Sequence, residues 1–133
     1  MKTSDLFVKC LENEGIEYIF GVPGEENADF LMSLHESKKI KFILTRHEQG
    51  AAFMAESYGK LTGKLSCCLS TLGPGATNLL TGVADANMDH SPVLVITGQG
   101  SSDRLHKESH QIMDVCHMFK SVTKRTTSVR NPS

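Results

Sequence analysis

The strongest constraint in this chain is the regular alternation of short apolar runs with turns marked by glycine or proline and with amphipathic stretches. "EYIFGVPG" reads as a short strand closed by a turn at Gly21, Pro23 and Gly24. "KFILT", "LSCCLST" and "PVLVIT" read as three more strands. Helical spacing fills the intervals between them. Leu6, Phe7, Cys10 and Leu11 share a face in a helix over 4–14 that Gly15 stops. A second helix covers 26–37, with Glu25 and Glu26 at its positive end. The third covers 48–62, with Met54, Ala55, Tyr58 and Leu61 on one face and Gly63 behind it. In the fourth, Ala76, Leu79, Leu80, Val83, Ala84 and Asn87 keep a 3, 4, 7, 8 spacing. Residues 99–112 are polar and read as loop, and "MFKSVTK" is a candidate further strand.

This alternation predicts an α/β fold. A mainly parallel sheet lies between two helix layers, a three-layer α/β/α arrangement with right-handed crossovers. "PVLVIT" is apolar throughout, which suits a strand covered on both faces. The 133 residues suffice for one domain with a core, and no repeat or linker divides them. "RNPS" at 130–133 reads as the start of another helix, so the natural polypeptide is expected to continue.

Composition excludes several function classes. Fourteen basic and 15 acidic residues give a formal net charge of -1 with no basic run, which argues against a nucleic-acid partner. No apolar run reaches the length of a membrane span, and "MKTSDLFVKC" lacks the apolar core of a signal peptide. Cys10, Cys67, Cys68 and Cys116 form no C-x-x-C, so they read as reduced, buried thiols of a cytoplasmic protein. Cys67 and Cys68 should point to opposite faces of their strand.

In open parallel sheets, ligands bind beyond the carboxyl ends of the strands. "GVPGEE", "TRHEQG", "TLGPGATN" and "TGQG" all fall there. Their glycines serve either close backbone approach to a ligand or simply tight turns. "GPGATN" departs from a dinucleotide fingerprint, because Asn78 stands at the third glycine and Pro74 interrupts the loop. His106 and His110 are four apart, a metal-binding spacing on a helix, but "RLHKESH" lacks an apolar face and a third ligand. Both histidines therefore read as solvated. Glu48 opens a helix, where a carboxylate is favourable on electrostatic grounds alone.

Taken together, "FGVPGEEN", "LTRHEQGAAFMAESYGKLTGK", "TLGPGATNLLTGVADANMDHSPVLVITGQ" and "RLHKESHQIMD" resemble the amino-terminal pyrimidine-binding domain of thiamine-diphosphate enzymes. The likeness is to acetolactate synthases, particularly the flavin-independent catabolic type, and it covers most of residues 18–124 in the expected order. It implies the thiamine-diphosphate-binding fold, incomplete at its C-terminus: residues 1–133 would be the pyrimidine-binding domain without its last helix and strand. It also implies that Glu48 is the activating carboxylate. Such a group, hydrogen-bonded to the aminopyrimidine ring, favours the imino tautomer whose nitrogen removes the thiazolium proton. Val22, Pro23, Thr71, Pro74 and Asn78 fall where the family shapes the pyrimidine pocket. Gln111 falls where it presents an amide near the reacting carbon. His110 would line the substrate side, and Arg46 and His47 would brace the turn or meet a partner chain.

The implied reaction decarboxylates pyruvate and condenses the remainder with a second pyruvate to 2-acetolactate. The implied cofactors are thiamine diphosphate and Mg2+, the latter bound by a diphosphate-binding domain whose Gly-Asp-Gly signature is not in this sequence. FAD is not expected. A homo-oligomer, dimer or tetramer, would build each active site between subunits, so this chain alone would hold half a site. Related decarboxylases and carboligases of the superfamily, and a non-catalytic binding or assembly module, are the alternatives.

Overall fold

The computed structural model describes residues 1–105 and 107–130. Its strands are β1 (Tyr18–Gly21), β2 (Lys41–Leu44), β3 (Ser66–Ser70) and β4 (Val93–Thr97). They form one sheet in the order β2-β1-β3-β4, parallel throughout. The helices are α1 (Thr3–Asn13), α2 (Ala28–His35), α3 (Glu48–Thr62), α4 (Pro74–Met88) and the short α5 (Val115–Phe119). The three-layer α/β/α expectation holds. The helix start expected at "RNPS" falls largely on residues outside the described ones.

Alternation along the strands divides the core in two. Ile19, Cys67 and Leu69 point to one face, against Val8 and Leu11 of α1 and Phe30 and Leu34 of α2. Phe7 of α1 meets Phe30 with ring centroids 5.6 Å apart. Cys68 points to the other face, among Ala51, Ala52 and Ala55 of α3 and Ala76, Leu79 and Val83 of α4. The neighbouring cysteines thus serve opposite layers, as their position in the strand requires.

Small residues let α3 and α4 touch. A Cβ on Gly82 would stand 2.6 Å from the Ala52 Cβ and 3.1 Å from the Phe53 nitrogen. Farther along α3, a Cβ on Gly59 would stand 2.9 Å from the Pro92 carbonyl oxygen. This packing corrects the face expected for α3. Ala51, Ala52, Ala55, Glu56 and Gly59 are buried, whereas Met54 and Leu61 face solvent. Bulky residues would hold the two helices apart. On α4, Asn87 is likewise exposed.

Three other expectations change. The second helix is split: Glu25–Asn27 form a 3-10 turn before α2 begins. "MFKSVTK" is not a strand. Val115, Phe119 and Val122 recur at helical spacing and pack on the α3–α4 layer, and the Asp114 side chain accepts from the His117 amide at 2.8 Å to start α5. Finally, Cys10 and Cys116 are exposed, because α1 turns Val8 and Leu11 inward and α5 turns Val115 and Phe119 inward. β4 contributes Leu94 and Ile96 to one layer and Val93 and Val95 to the other, yet all five of its residues stay half-buried because it pairs only with β3. Among the described residues no helix is long and apolar enough to cross a membrane.

Two outcomes follow from this packing. Gly82→Leu should lower stability by about 1–3 kcal/mol through overpacking, whereas Gly50→Ala, with open space around it, should raise it by roughly 0.5–1 kcal/mol; urea titrations of both variants measure the contrast. Burial pushes the thiols of Cys67 and Cys68 up, that of Cys68 to about 12. A thiol-titrating disulfide reagent should therefore react at once with Cys10 and Cys116, and with Cys67 and Cys68 only after denaturation.

Candidate functional site

The strand order reverses direction at β1: the chain goes from β1 to β2 on one side and to β3 on the other. In open parallel sheets the ligand edge lies beyond the carboxyl ends of the strands at such a switch point. Here the turns after β1 and β3 are drawn close. A Cβ on Gly21 would overlap the Leu69 carbonyl oxygen, which accepts from the Val22 amide at 3.2 Å. A Cβ on Gly24 would stand 2.5 Å from Thr71 Oγ1 and 3.0 Å from Thr71 Cγ2. The glycines at these turns are thus required by chain-to-chain approach.

Glu48 is the first residue of α3 and half-buried. His47 caps this helix, its ring Nδ1 accepting from the Gln49 amide at 3.1 Å, and Thr45 Oγ1 donates to the His47 carbonyl at 3.1 Å. His47 therefore braces the turn. Arg46 beside it is exposed. Because α3 and α4 pack so closely, Asn78 in the second turn of α4 reaches across. Its Nδ2 donates to Glu48 Oε2 at 2.9 Å. Glu48 Oε1 accepts no hydrogen bond among the described residues. It lies 3.3 Å from where a Cβ on Gly75 would be, a point also 2.9 Å from Thr71 Cγ2.

The residues expected to share a site are thus partly gathered. Glu48, Asn78 and Thr71 meet around Gly75. Val22 is half-buried at the end of β1, and Pro23 is exposed beside it. Pro74 is exposed at the first position of α4, where its fixed φ suits the helix start. Gln111 is brought to the neighbouring turn: it takes a left-handed φ of 55°, and a Cβ on Gly73 would stand 2.7 Å from its own Cβ. The loop that carries Gln111 is fastened by Gln99, whose Nε2 donates to the Met113 carbonyl at 2.9 Å. His110 is exposed, and His106 lies outside the described residues.

One participant was read from sequence only as a helix-start charge. Glu26 accepts a hydrogen bond from Thr71 Oγ1 at 2.7 Å and so belongs to the same cluster. The only local signal was an acidic pair directly after the glycine turn.

The Glu48 carboxylate, with one oxygen held by the Asn78 amide and the other accepting no hydrogen bond among the described residues, is a hydrogen-bonding group. It lacks the several oxygen ligands that a divalent cation takes. The Glu48 oxygen that accepts no hydrogen bond among the described residues can pair with a polar group of a ligand.

Residues 1–118 match the family of thiamine pyrophosphate enzymes, N-terminal TPP binding domain. The chain belongs to this family. A probable acetolactate synthase large subunit of Methanocaldococcus jannaschii is 40% identical over 99% of the chain, which covers 22% of that protein. An acetolactate synthase large subunit of Corynebacterium glutamicum is 39% identical over 100% of the chain and 21% of its own length. A chloroplastic acetolactate synthase of Arabidopsis thaliana is 39% identical over 92% of the chain and 18% of its own length. The chain therefore spans about a fifth of the length of these curated relatives.

As a TPP-binding domain, the chain must keep its glycine turns tight. Gly73→Ala should displace the Gln111 loop, since its φ of 57° and the neighbouring Gln111 backbone both oppose a side chain. Hydrogen exchange over residues 109–113 should speed up by about tenfold or more, with α3 unaffected.

Proposed function

We propose that this chain is the pyrimidine-binding part of a thiamine-diphosphate-dependent acetolactate synthase. The carrying observation is the Glu48 carboxylate, held through one oxygen by Asn78 and open at the other. Relatives named acetolactate synthase, at about 40% identity across nearly the whole chain, support the choice of reaction. When bound, thiamine diphosphate supplies a nucleophilic carbon and an electron sink for the loss of carbon dioxide from a 2-keto acid.

The chain's own residues prepare that chemistry. Glu48 would hydrogen-bond the ring nitrogen of the pyrimidine through its free oxygen. Asn78 fixes the carboxyl plane by donating to Oε2, which directs Oε1 to the ligand. Val22, Pro23, Thr71 and Pro74, on the turns after β1 and β3, would hold the pyrimidine ring beside Glu48. Gln111, on its fastened loop, presents an amide to the substrate. Two pyruvates and a proton would become 2-acetolactate and carbon dioxide.

In this reading the diphosphate and its Mg2+ are bound by a second domain outside residues 1–133, and FAD is not needed. The site closes between subunits of a homo-oligomer, dimer or tetramer. Exposed free thiols at Cys10 and Cys116 fit a reducing compartment, hence the cytoplasm.

A full-length protein carrying this segment should release carbon dioxide and 2-acetolactate from pyruvate in equal amounts, while residues 1–133 alone should form neither. Acetolactate made robustly by the isolated chain would contradict the half-site. Turnover of a different 2-keto acid, with pyruvate ignored, would move the assignment to another enzyme of the superfamily.

A further inference from the structure

We propose that Glu26 is a positioning residue that locks Thr71, hydroxyl outward and methyl toward Glu48, so that the Glu48 carboxylate keeps one oxygen free for its ligand. Which ligand meets Glu48 rests on the function proposed above; the lock on Thr71 does not.

Threonine has two groups of nearly equal size on Cβ and opposite chemistry. Turning χ1 by about 120° exchanges groups between staggered positions. Next to a carboxylate this choice matters, because a hydroxyl there donates to it and a methyl cannot. In this chain the two groups are sorted. Thr71 Oγ1 donates to Glu26 Oε2 at 2.7 Å, on the side of the Gly24 turn. Its Cγ2 is the atom nearest the position a Cβ on Gly75 would take, at 2.9 Å, and Glu48 Oε1 is the next nearest, at 3.3 Å. The Glu48 carboxylate therefore keeps a single donor, Asn78, among the described residues.

The surroundings make Glu26 the part that decides. Gly24 grips Thr71 from one side and Gly75 from the other, and neither offers a side-chain acceptor. Glu26 is itself held in place: a Cβ on Gly98 would stand 3.1 Å from the Glu26 Cβ. The Gly98 amide in turn donates to the Ser70 carbonyl at 2.9 Å, next to Thr71. Hydrogen bonds to an ionised acceptor are the strong ones, so a carboxylate here orders the hydroxyl more firmly than water would. Without it, the hydroxyl is free to turn and donate to Glu48 Oε1, in competition with the ligand.

Two measurements on the full-length protein test this. Ligand-free crystal structures of wild type and Glu26→Ala should show the Thr71 hydroxyl on Glu26 in the first and turned to Glu48 in the second. An unchanged Thr71 in Glu26→Ala overturns the lock, whatever the protein binds. The second measurement is calorimetric titration with thiamine diphosphate and Mg2+. Glu26→Ala should weaken binding by about tenfold, and Glu26→Gln, which keeps an acceptor, by much less. In a Thr71→Val background, where no hydroxyl is left to misplace, the same Glu26→Ala change should cost less than about twofold. An equal loss in both backgrounds overturns the lock. A wild-type protein that fails to bind thiamine diphosphate, with Thr71 turning as expected in the crystals, overturns the function proposed above and leaves the lock standing.

Discussion

Asn78 reaches the Glu48 carboxylate only because α3 and α4 touch through Ala52 and Gly82. That close approach is the constraint on which the site depends. It sets the spacing of two helix starts, and each start follows a strand at the same edge of the sheet. Ala51, Ala55 and Ala76 continue the small-residue contact below the site, on the layer that Cys68 faces. Helix diameter is mostly side chain. Trimming those side chains to alanine and glycine brings the Glu48 carboxylate and the Asn78 side-chain amide into hydrogen-bond range.

Charge reinforces this packing at the far end of the helices. Glu56 of α3 is buried, and its Oε1 lies 2.8 Å from Lys60 Nζ. Lys60 also pairs with Asp89, just beyond α4, and these partners, Asp89 foremost, hold the lysine's proton more firmly than usual. Partial burial, and then the nearby Glu56 and Asp89 carboxylates, push the Asp85 carboxyl up. Lys60 thus pairs with two acids, Glu56 on its own helix and Asp89 at the end of α4. A buried acid of this kind is costly to leave unpaired, and Lys60 of the same helix pairs with it, while the Lys60–Asp89 pair joins α3 to the end of α4.

Much of the fold was legible because local signals agreed. The bounds of α3 were readable from the end of an apolar run and from Gly63, which takes a left-handed φ of 69°. The four strands announced themselves by continuous apolar character between glycine turns. The buried face of α3 was not legible, since Met54 and Leu61 dominate a hydrophobic pattern while alanines do the packing. Residues 118–124 carry a short apolar run that fits strand or helix alike, and only Val115, upstream of it, discloses the helical spacing. The site was harder still. Glu48 and Asn78 are 30 residues apart, and Thr71 and Glu26 are 45 apart. No local pattern pairs them. A resemblance across four turns pointed to Glu48 and Asn78, whereas Glu26 emerged only from the fold.

We propose that Glu48 activates bound thiamine diphosphate through its ionisable carboxyl group. Exchange of the thiazolium proton for deuterium, followed on the cofactor bound to the full-length protein, tests it most directly. Glu48→Gln keeps the size and a hydrogen-bonding amide but removes the ionisable group. Exchange should then slow by about 100-fold or more, the range expected for a lost acid–base contribution. Exchange at the wild-type rate in Glu48→Gln, with the cofactor still bound, would contradict the account.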